Sequence, residues 1–279
     1  MSGEAPESRV PGSVAAVRPA PVPIAIDPGR IRAVVFDLFG TLVPGTPMAR
    51  RAADAAATAR ILGVDPEAFH ALLHVTFTER ATGAMGDEHG VLRTLASRLG
   101  VVPSPGAVDA AADLRRAQLA SDLVARPDAV PTLARLRAAG YRLGLVSDCG
   151  PEVPAIWTTL PLAPLVDATV FSSEVGCRKP DASLYRRVCR ELGVEPQACL
   201  YVGDGDSHEL TGATRVGMAA VRLGAEDATA VALVHYDHDT AWRGPSVPQL
   251  ADVPKLLGLA PPGPGDVGGR PDVGSGVGQ

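Results

Sequence analysis

Short apolar segments alternate with helical patterns along most of this chain. Helical patterns fall between the apolar segments, and three of them are closed by Gly140, Gly193 and Gly217. This alternation predicts an α/β fold with a doubly wound, Rossmann-like parallel sheet that is covered by helices on both faces. The predicted strands, most of which end in a small or acidic residue, cover 31–37, 141–148, 167–173, 198–204 and 218–223.

The domain organisation follows from where this alternation stops. Residues 47–125 contain no convincing strand, and we predict an inserted α-helical cap there, between two parts of the core at 31–46 and 126–260. Residues 1–30 and 261–279 are rich in Gly, Pro and small residues without a period, so both are predicted to be disordered tails. An insertion directly after a strand end can close over a site at that end. The helical stretches of the insertion are at 48–62, 66–80, 89–99 and 106–124.

Composition narrows the class of protein. A chain of 279 residues, 46% of them hydrophobic, can bury a substantial core. The net charge of -5 provides no basic field for nucleic acid or an anionic membrane, and no apolar run reaches membrane-spanning length. We therefore expect a cytoplasmic protein with reduced thiols and a small-molecule partner. Its four cysteines lack metal-binding spacing, at Cys149, Cys177, Cys189 and Cys199.

Polar residues end or follow four of the predicted strands. Because open α/β sheets bind ligands at the carboxyl ends of their strands, we expect these side chains to meet at one edge. Carboxylates gathered there offer the hard oxygen ligands that Mg²⁺ prefers. In chain order the residues are Asp37 with Thr41, Ser147 with Asp148, Lys179, and Asp204 with Glu209.

Four short motifs carry these residues in a fixed order. They are FDLFGTL at 36–42, LVSD at 145–148, RKP at 178–180 and VGDGDSHEL at 202–210. Together they resemble the haloacid dehalogenase-like (HAD) hydrolase superfamily over about residues 31–258. The insertion is similar to the helical cap that some members of this superfamily carry after the first strand.

The resemblance implies a role for each residue. Asp37 would be the nucleophile, with Ser147 and Lys179 as the other catalytic residues. The substrate-binding residues would be Thr41, Ser147, Asp148 and Lys179. The Mg²⁺ ligands would be Asp37, the backbone carbonyl of Phe39, Asp204, and Glu209 either directly or through water. Asp206 is a competing acidic candidate for the metal, or else a helix N-cap.

Phe39 departs from the phosphatase pattern. Phosphatases of the superfamily generally carry a second Asp at this position, which acts as general acid and base, and loss of such a group costs on the order of 10²- to 10⁴-fold in rate. The haloacid dehalogenases carry an aromatic residue here, but they work without metal and are expected to lack the Gly-Asp pair at Gly203 and Asp204. The sequence therefore favours a Mg²⁺-dependent phosphatase and leaves open a 2-haloacid dehalogenase or a weakly active, binding-only member.

Three replacements for the missing acid are open: His208, Asp148, or a substrate whose leaving group needs no acid. In the cap, Arg80, His89 and the loop at 83–87 are candidates for setting specificity. The HYDHD segment at 235–239 is interpreted as a solvated loop rather than a second metal site.

Overall fold

The computed structural model describes residues 22–224, 239 and 242–261. Its six strands form one parallel sheet in the order β3-β2-β1-β4-β5-β6, which confirms the predicted doubly wound α/β fold. Most of the two predicted tails lies outside the described residues, so their disorder stays a prediction. The strands are β1 (Ala33–Phe36), β2 (Arg142–Ser147), β3 (Ala168–Phe171), β4 (Cys199–Gly203), β5 (Ala219–Leu223) and β6 (Ser246–Val247).

Two layers of helices cover the sheet because successive side chains of a strand face opposite sides. In β1, Val34 and Phe36 pack into one hydrophobic cluster, while Ala33 and Val35 pack into the other. The first cluster includes residues of α6, α7 and α11, and the second includes residues of α9 and α10. These helices and the short α8 are α6 (Ala129–Ala138), α7 (Glu152–Trp157), α8 (Ser172–Val175), α9 (Ala182–Leu192), α10 (Glu209–Arg215) and α11 (Val253–Leu256).

Five helices lie between β1 and β2 and bury a third cluster of their own, which contains Phe69, Leu92 and Leu95. The stretch predicted as one helix at 66–80 is two helices, because the chain leaves helical geometry at Thr76. None of the described helices is long and apolar enough to cross a membrane. The five are α1 (Met48–Leu62), α2 (Pro66–Val75), α3 (Phe77–Ala81), α4 (Glu88–Arg98) and α5 (Pro105–Asp122).

Candidate active site

Three neighbouring strands end at one edge of the sheet and bring their terminal polar residues together. Asp37 follows β1, Ser147 ends β2, and Asp204 follows β4. The backbone N–H of Asp37 donates to the carbonyl of Val202 at 3.0 Å, so the parallel pairing of β1 and β4 continues up to the first acidic residue. The edge lies where the strand order reverses direction around β1, which is the usual ligand position in such sheets.

Lys179 forms the centre of the charge network at this edge. Its Nζ lies 2.6 Å from Oδ1 of Asp37 and 2.6 Å from Oε2 of Glu209, and all three side chains are buried. Its backbone N–H donates to Oδ1 of Asp148 at 3.0 Å, which fixes the loop that carries it. Burial alone lowers the pKa of Lys179, but the carboxylates of Asp37 and Glu209 outweigh burial and raise this pKa well above its usual value.

The carboxylates outnumber the cation that they share. Burial, opposed by Lys179 and reinforced by Glu209, raises the pKa of Asp37 to about 7. Burial also raises the pKa of Asp204 well above its usual range, and the nearby charges of Glu209 and Asp37 add to that effect. Such crowding of buried negative charge is the electrostatic environment that a divalent cation relieves.

The geometry of these carboxylates fits a cation. Ligand oxygens of Asp37, Asp204 and Glu209 lie within 4.8 Å of one another, and this is the one acidic or thiol cluster of its kind among the described residues. Oδ2 of Asp37 and Oδ2 of Asp204 are buried without a hydrogen-bond partner in the part of the chain described. Asp206 stands outside the cluster, and the N-cap position of α10 belongs to His208, so the predicted N-cap role of Asp206 is wrong.

Glu209 is held differently from the other two acids. Its Oε2 accepts hydrogen bonds from Lys179 and, at 2.8 Å, from the hydroxyl of Tyr201, while its Oε1 accepts from the backbone N–H of Gly205 at 3.0 Å. Tyr185 donates to the backbone carbonyl of Glu209 at 3.0 Å. Both oxygens of Glu209 are therefore occupied by protein donors. The two tyrosines were missed from the sequence because Tyr201 lies within an apolar strand and Tyr185 within a helix, where neither belongs to a motif.

The loop after Asp37 touches the second acid directly. Gly40 has a φ of +84°, and a Cβ on it would lie 2.0 Å from Oδ2 of Asp204, so only glycine fits there. The backbone next to Phe39 therefore lies against the carboxylate cluster. The ring of Phe39 is half-buried and packs against the core, and its backbone bridges to Val43. Position 39 supplies no titratable group.

Two buried hydroxyls remain available for a ligand. Thr41 and Ser147 are fully buried, and neither hydroxyl has a hydrogen-bond partner among the residues described. Asp148 behaves differently, because its oxygens accept from the backbone N–H of Lys179 and from Nε of Arg178 at 3.3 Å. Its role in this structure is to hold the Lys179 loop.

His208 is oriented by a buried acid. Its Nδ1 lies 3.5 Å from Oδ1 of Asp239, and its side chain is 46% exposed, so the ring is reachable from solvent. Asp239 accepts hydrogen bonds from the backbone N–H and the hydroxyl of Thr211 at 2.7 and 2.6 Å. The rest of the HYDHD segment, 235–238, lies outside the described residues, but Asp239 itself is buried rather than solvated.

Arg178 connects the core to the insertion. In the core it contacts Asp148 and donates from Nη2 to the hydroxyl of Ser207 at 3.2 Å. In the insertion it donates from Nη1 to the hydroxyl of Thr78 at 2.8 Å, and its guanidinium stacks 5.0 Å from the ring centre of Phe77. No sequence pattern indicates this role, since the contact spans 100 residues of chain.

The three candidates for setting specificity lie in different parts of the insertion. Arg80 lines a cavity within the insertion. His89 faces Asp109, with Nε2 3.2 Å from its carboxylate. Gly83, in the predicted specificity loop, approaches the core so closely that a Cβ would lie 2.3 Å from the carbonyl of Ser173.

Comparison with known proteins identifies the family. A family model described as haloacid dehalogenase-like hydrolase matches residues 31–217, more than half of the chain. The chain belongs to this family. Glyceraldehyde 3-phosphate phosphatase of Methanopyrus kandleri is 33% identical to this HAD-like hydrolase over 199 residues, which are 69% of this chain and 84% of the relative.

Dehalogenases are also similar to this HAD-like hydrolase. (S)-2-haloacid dehalogenase 4A of Burkholderia cepacia is 31% identical over 103 residues, covering 37% of this chain and 44% of the relative. The solved structure of 2-haloacid dehalogenase from Pseudomonas syringae pv. Tomato DC3000 superposes with a TM-score of 0.59 at 25% identity, covering 82% of this chain and 98% of the other. The resemblance predicted from the four motifs is confirmed.

Proposed function

We propose that this chain is a Mg²⁺-dependent phosphatase that acts on a small phosphorylated metabolite through an aspartyl-phosphate intermediate. One observation carries the proposal: Oδ2 of Asp37 and Oδ2 of Asp204 are buried without hydrogen-bond partners among the described residues, and both residues belong to one acidic cluster. In a reaction without metal, the carboxylate of Asp204 would have no chemical role. The similarity to a protein named as a phosphatase supports the same conclusion.

The proposed metal ligands are Asp37, Asp204 and the backbone carbonyl of Phe39. Glu209 completes the acidic cluster, but both of its oxygens accept from protein donors, so we assign it to holding Lys179 and at most to a water-mediated contact with the metal. Mg²⁺, when bound, would neutralise charge on the transferred phosphoryl group and orient that group. The all-oxygen donor set is the kind that Mg²⁺ takes.

The proposed reaction has two displacement steps. A carboxylate oxygen of Asp37 attacks phosphorus, the bond from phosphorus to the ester oxygen breaks, and that oxygen takes a proton from water as the alcohol leaves. Lys179 and the unpaired hydroxyls of Ser147 and Thr41 would donate hydrogen bonds to the phosphoryl oxygens. Water then attacks the phosphorus of the aspartyl phosphate, which releases inorganic phosphate and restores Asp37.

Specificity is assigned to the insertion, which we propose to act as a cap. Arg178 binds it to the loop of Lys179, and Gly83 abuts the core, so the insertion is placed to border the site. Location in the cytoplasm also stays part of this proposal. Its support is that all four cysteines are free thiols.

Dehalogenation is the second candidate function. The observation that favours it is Phe39, because a halide leaving group needs no proton from position 39. Similarity to proteins named as 2-haloacid dehalogenases agrees with that alternative. A binding-only member would keep the fold and turn over neither class of substrate.

The two reactions are separated by their requirement for metal. We expect hydrolysis of 4-nitrophenyl phosphate in Mg²⁺, abolition of that activity by EDTA and recovery on adding excess Mg²⁺. Release of chloride from 2-chloropropionate serves as the parallel assay. Chloride release that persists in EDTA would overturn the phosphatase proposal, and no turnover of either compound would favour the binding-only alternative.

Phe39→Asp tests the missing proton carrier. We expect the hydrolysis of an alkyl phosphate to rise by about 10²-fold, because an acid at this position can protonate the poor leaving oxygen. Phe39→Asn is the matched control, since it has the same size and polarity but cannot transfer a proton. Steady-state rates with an alkyl and an aryl phosphate measure the effect. Equal rates in both variants would contradict the prediction.

A further inference from the structure

A cavity of about 200 Å³ lies inside the insertion, between helices α1, α2, α3 and α5. Two observations place it near the loops that carry active-site residues. Thr46, in its wall, comes shortly after the Asp37 loop, and Nη1 of Arg80 lies 3.8 Å from where a Cβ of Gly150 would be, two residues beyond Asp148. The volume suits the few heavy atoms of a small metabolite and not a large ligand.

The charged groups around this cavity are matched in number. Arg51, Arg80 and Arg115 line it together with Asp54 and Asp122. Both of these aspartates lie near Arg50, which contacts Asp54 at 3.0 Å and Asp122 at 3.5 Å. Glu152 contacts Arg115 at 2.7 Å and also acts electrostatically on Arg80. Asp206 acts electrostatically on Arg51, so four arginines face four carboxylates.

Arg80 has an unpaired hydrogen-bond donor in the described part of the chain. One nitrogen, Nη2, donates to the carbonyl of Leu73 at 2.6 Å, whereas Nε is buried without a hydrogen-bond partner in the described part of the chain. Burial lowers the pKa of Arg80 to about 10, so the group is still charged at neutral pH. A buried donor of this kind, in the wall of a cavity, gains strongly from an anionic acceptor.

We propose that this cavity binds a carboxylate of the substrate, so that the enzyme prefers phosphorylated carboxylic acids to phosphorylated aldehydes or alcohols. A carboxylate matches the geometry of a guanidinium and supplies an acceptor for the buried, unpaired Nε of Arg80. The inference rests on the proposed phosphatase activity and names its substrate class.

The first test compares 3-phosphoglycerate with glyceraldehyde 3-phosphate in the wild-type enzyme. These esters have nearly the same leaving group, so the missing acid at Phe39 affects both alike and cancels in the ratio. We expect kcat/KM to favour the carboxylate by about 10-fold or more, as one charge-assisted contact would give. Equal values would overturn the inference and leave the phosphatase proposal intact. Hydrolysis of neither ester, nor of 4-nitrophenyl phosphate, would overturn both.

Variants then test whether Arg80 causes the preference for the carboxylate substrate. Arg80→Gln should reduce the ratio about 10-fold and Arg80→Lys should retain part of it, while Arg60→Gln, an exposed arginine on α1, should leave the ratio unchanged. An unchanged ratio in Arg80→Gln would overturn the inference. A measurement without any variant covers the case in which Arg80→Gln fails to fold. Glycerate should inhibit hydrolysis of 4-nitrophenyl phosphate by the wild type and glycerol should not, and equal effects would count against the cavity.

Discussion

Asp37→Asn is expected to lower phosphatase turnover by about 10⁴-fold or more, because an amide oxygen cannot serve as the attacking carboxylate. The fold should persist. Asparagine has the shape of aspartate and removes one of three crowded negative charges, while Lys179 keeps its 2.6 Å contact with Glu209. Steady-state hydrolysis of 4-nitrophenyl phosphate measures the first effect, and thermal melting measures the second.

Asp109→Asn is the matched control, since Asp109 is an exposed acid on α5 that pairs with His89. Its turnover should equal that of the wild type. Trapping adds an independent readout, because the wild type quenched in acid during turnover should carry a phosphorylated peptide that includes Asp37, and Asp37→Asn should not. Residual activity within tenfold of the wild type in Asp37→Asn would remove Asp37 from the reaction.

Lys179→Met is expected to affect stability as well as turnover. The variant leaves Asp37 and Glu209 buried without their shared cation, and breaking a buried pair in this way costs about 3 to 5 kcal/mol of unfolding free energy. Turnover should fall by at least about 10³-fold, since the donor to the phosphoryl oxygens is gone. Urea denaturation and steady-state rates measure the two losses.

The chain offers one other lysine for comparison. Lys255 is exposed on α11, and its only described contact is a surface pair with Asp252, so Lys255→Met should change stability by no more than about 1 kcal/mol. Adding Mg²⁺ should restore part of the stability of Lys179→Met, because a cation can replace the lost positive charge. A Lys179→Met protein as stable as Lys255→Met would contradict the network.

The sequence predicted the strand-end residues well because their positions depend on local pattern. Asp37, Ser147 and Asp204 each end or directly follow an apolar run, and parallel strands carry such ends to one edge whatever the details of packing. The family and fold follow from that regularity and from the order of the motifs. The same reasoning gave no sheet order, and it missed β6, which has only two residues and no pattern of its own.

Contacts between distant segments were beyond prediction. The apolar pattern of β4 does not predict that the hydroxyl of Tyr201 donates to Glu209. That contact depends on the pleat of β4 and on where α10 begins. The break at Thr76 was missed for a related reason. The helical period continues through it, while the hydroxyl of Thr76 donates back to the carbonyl of Leu72 at 2.6 Å and α2 ends.

The side chain of Arg178 links access to the active site with the arrangement of the residues in that site. It holds Thr78 and Phe77 of the insertion with one end of its guanidinium and Asp148 of the core with the other. Any displacement wide enough to admit a substrate from that side must stretch these contacts, and the next residue along the backbone is Lys179. Movement of the insertion away from the core would therefore pull on Lys179, which contacts Asp37. The reverse movement would restore the position of Lys179.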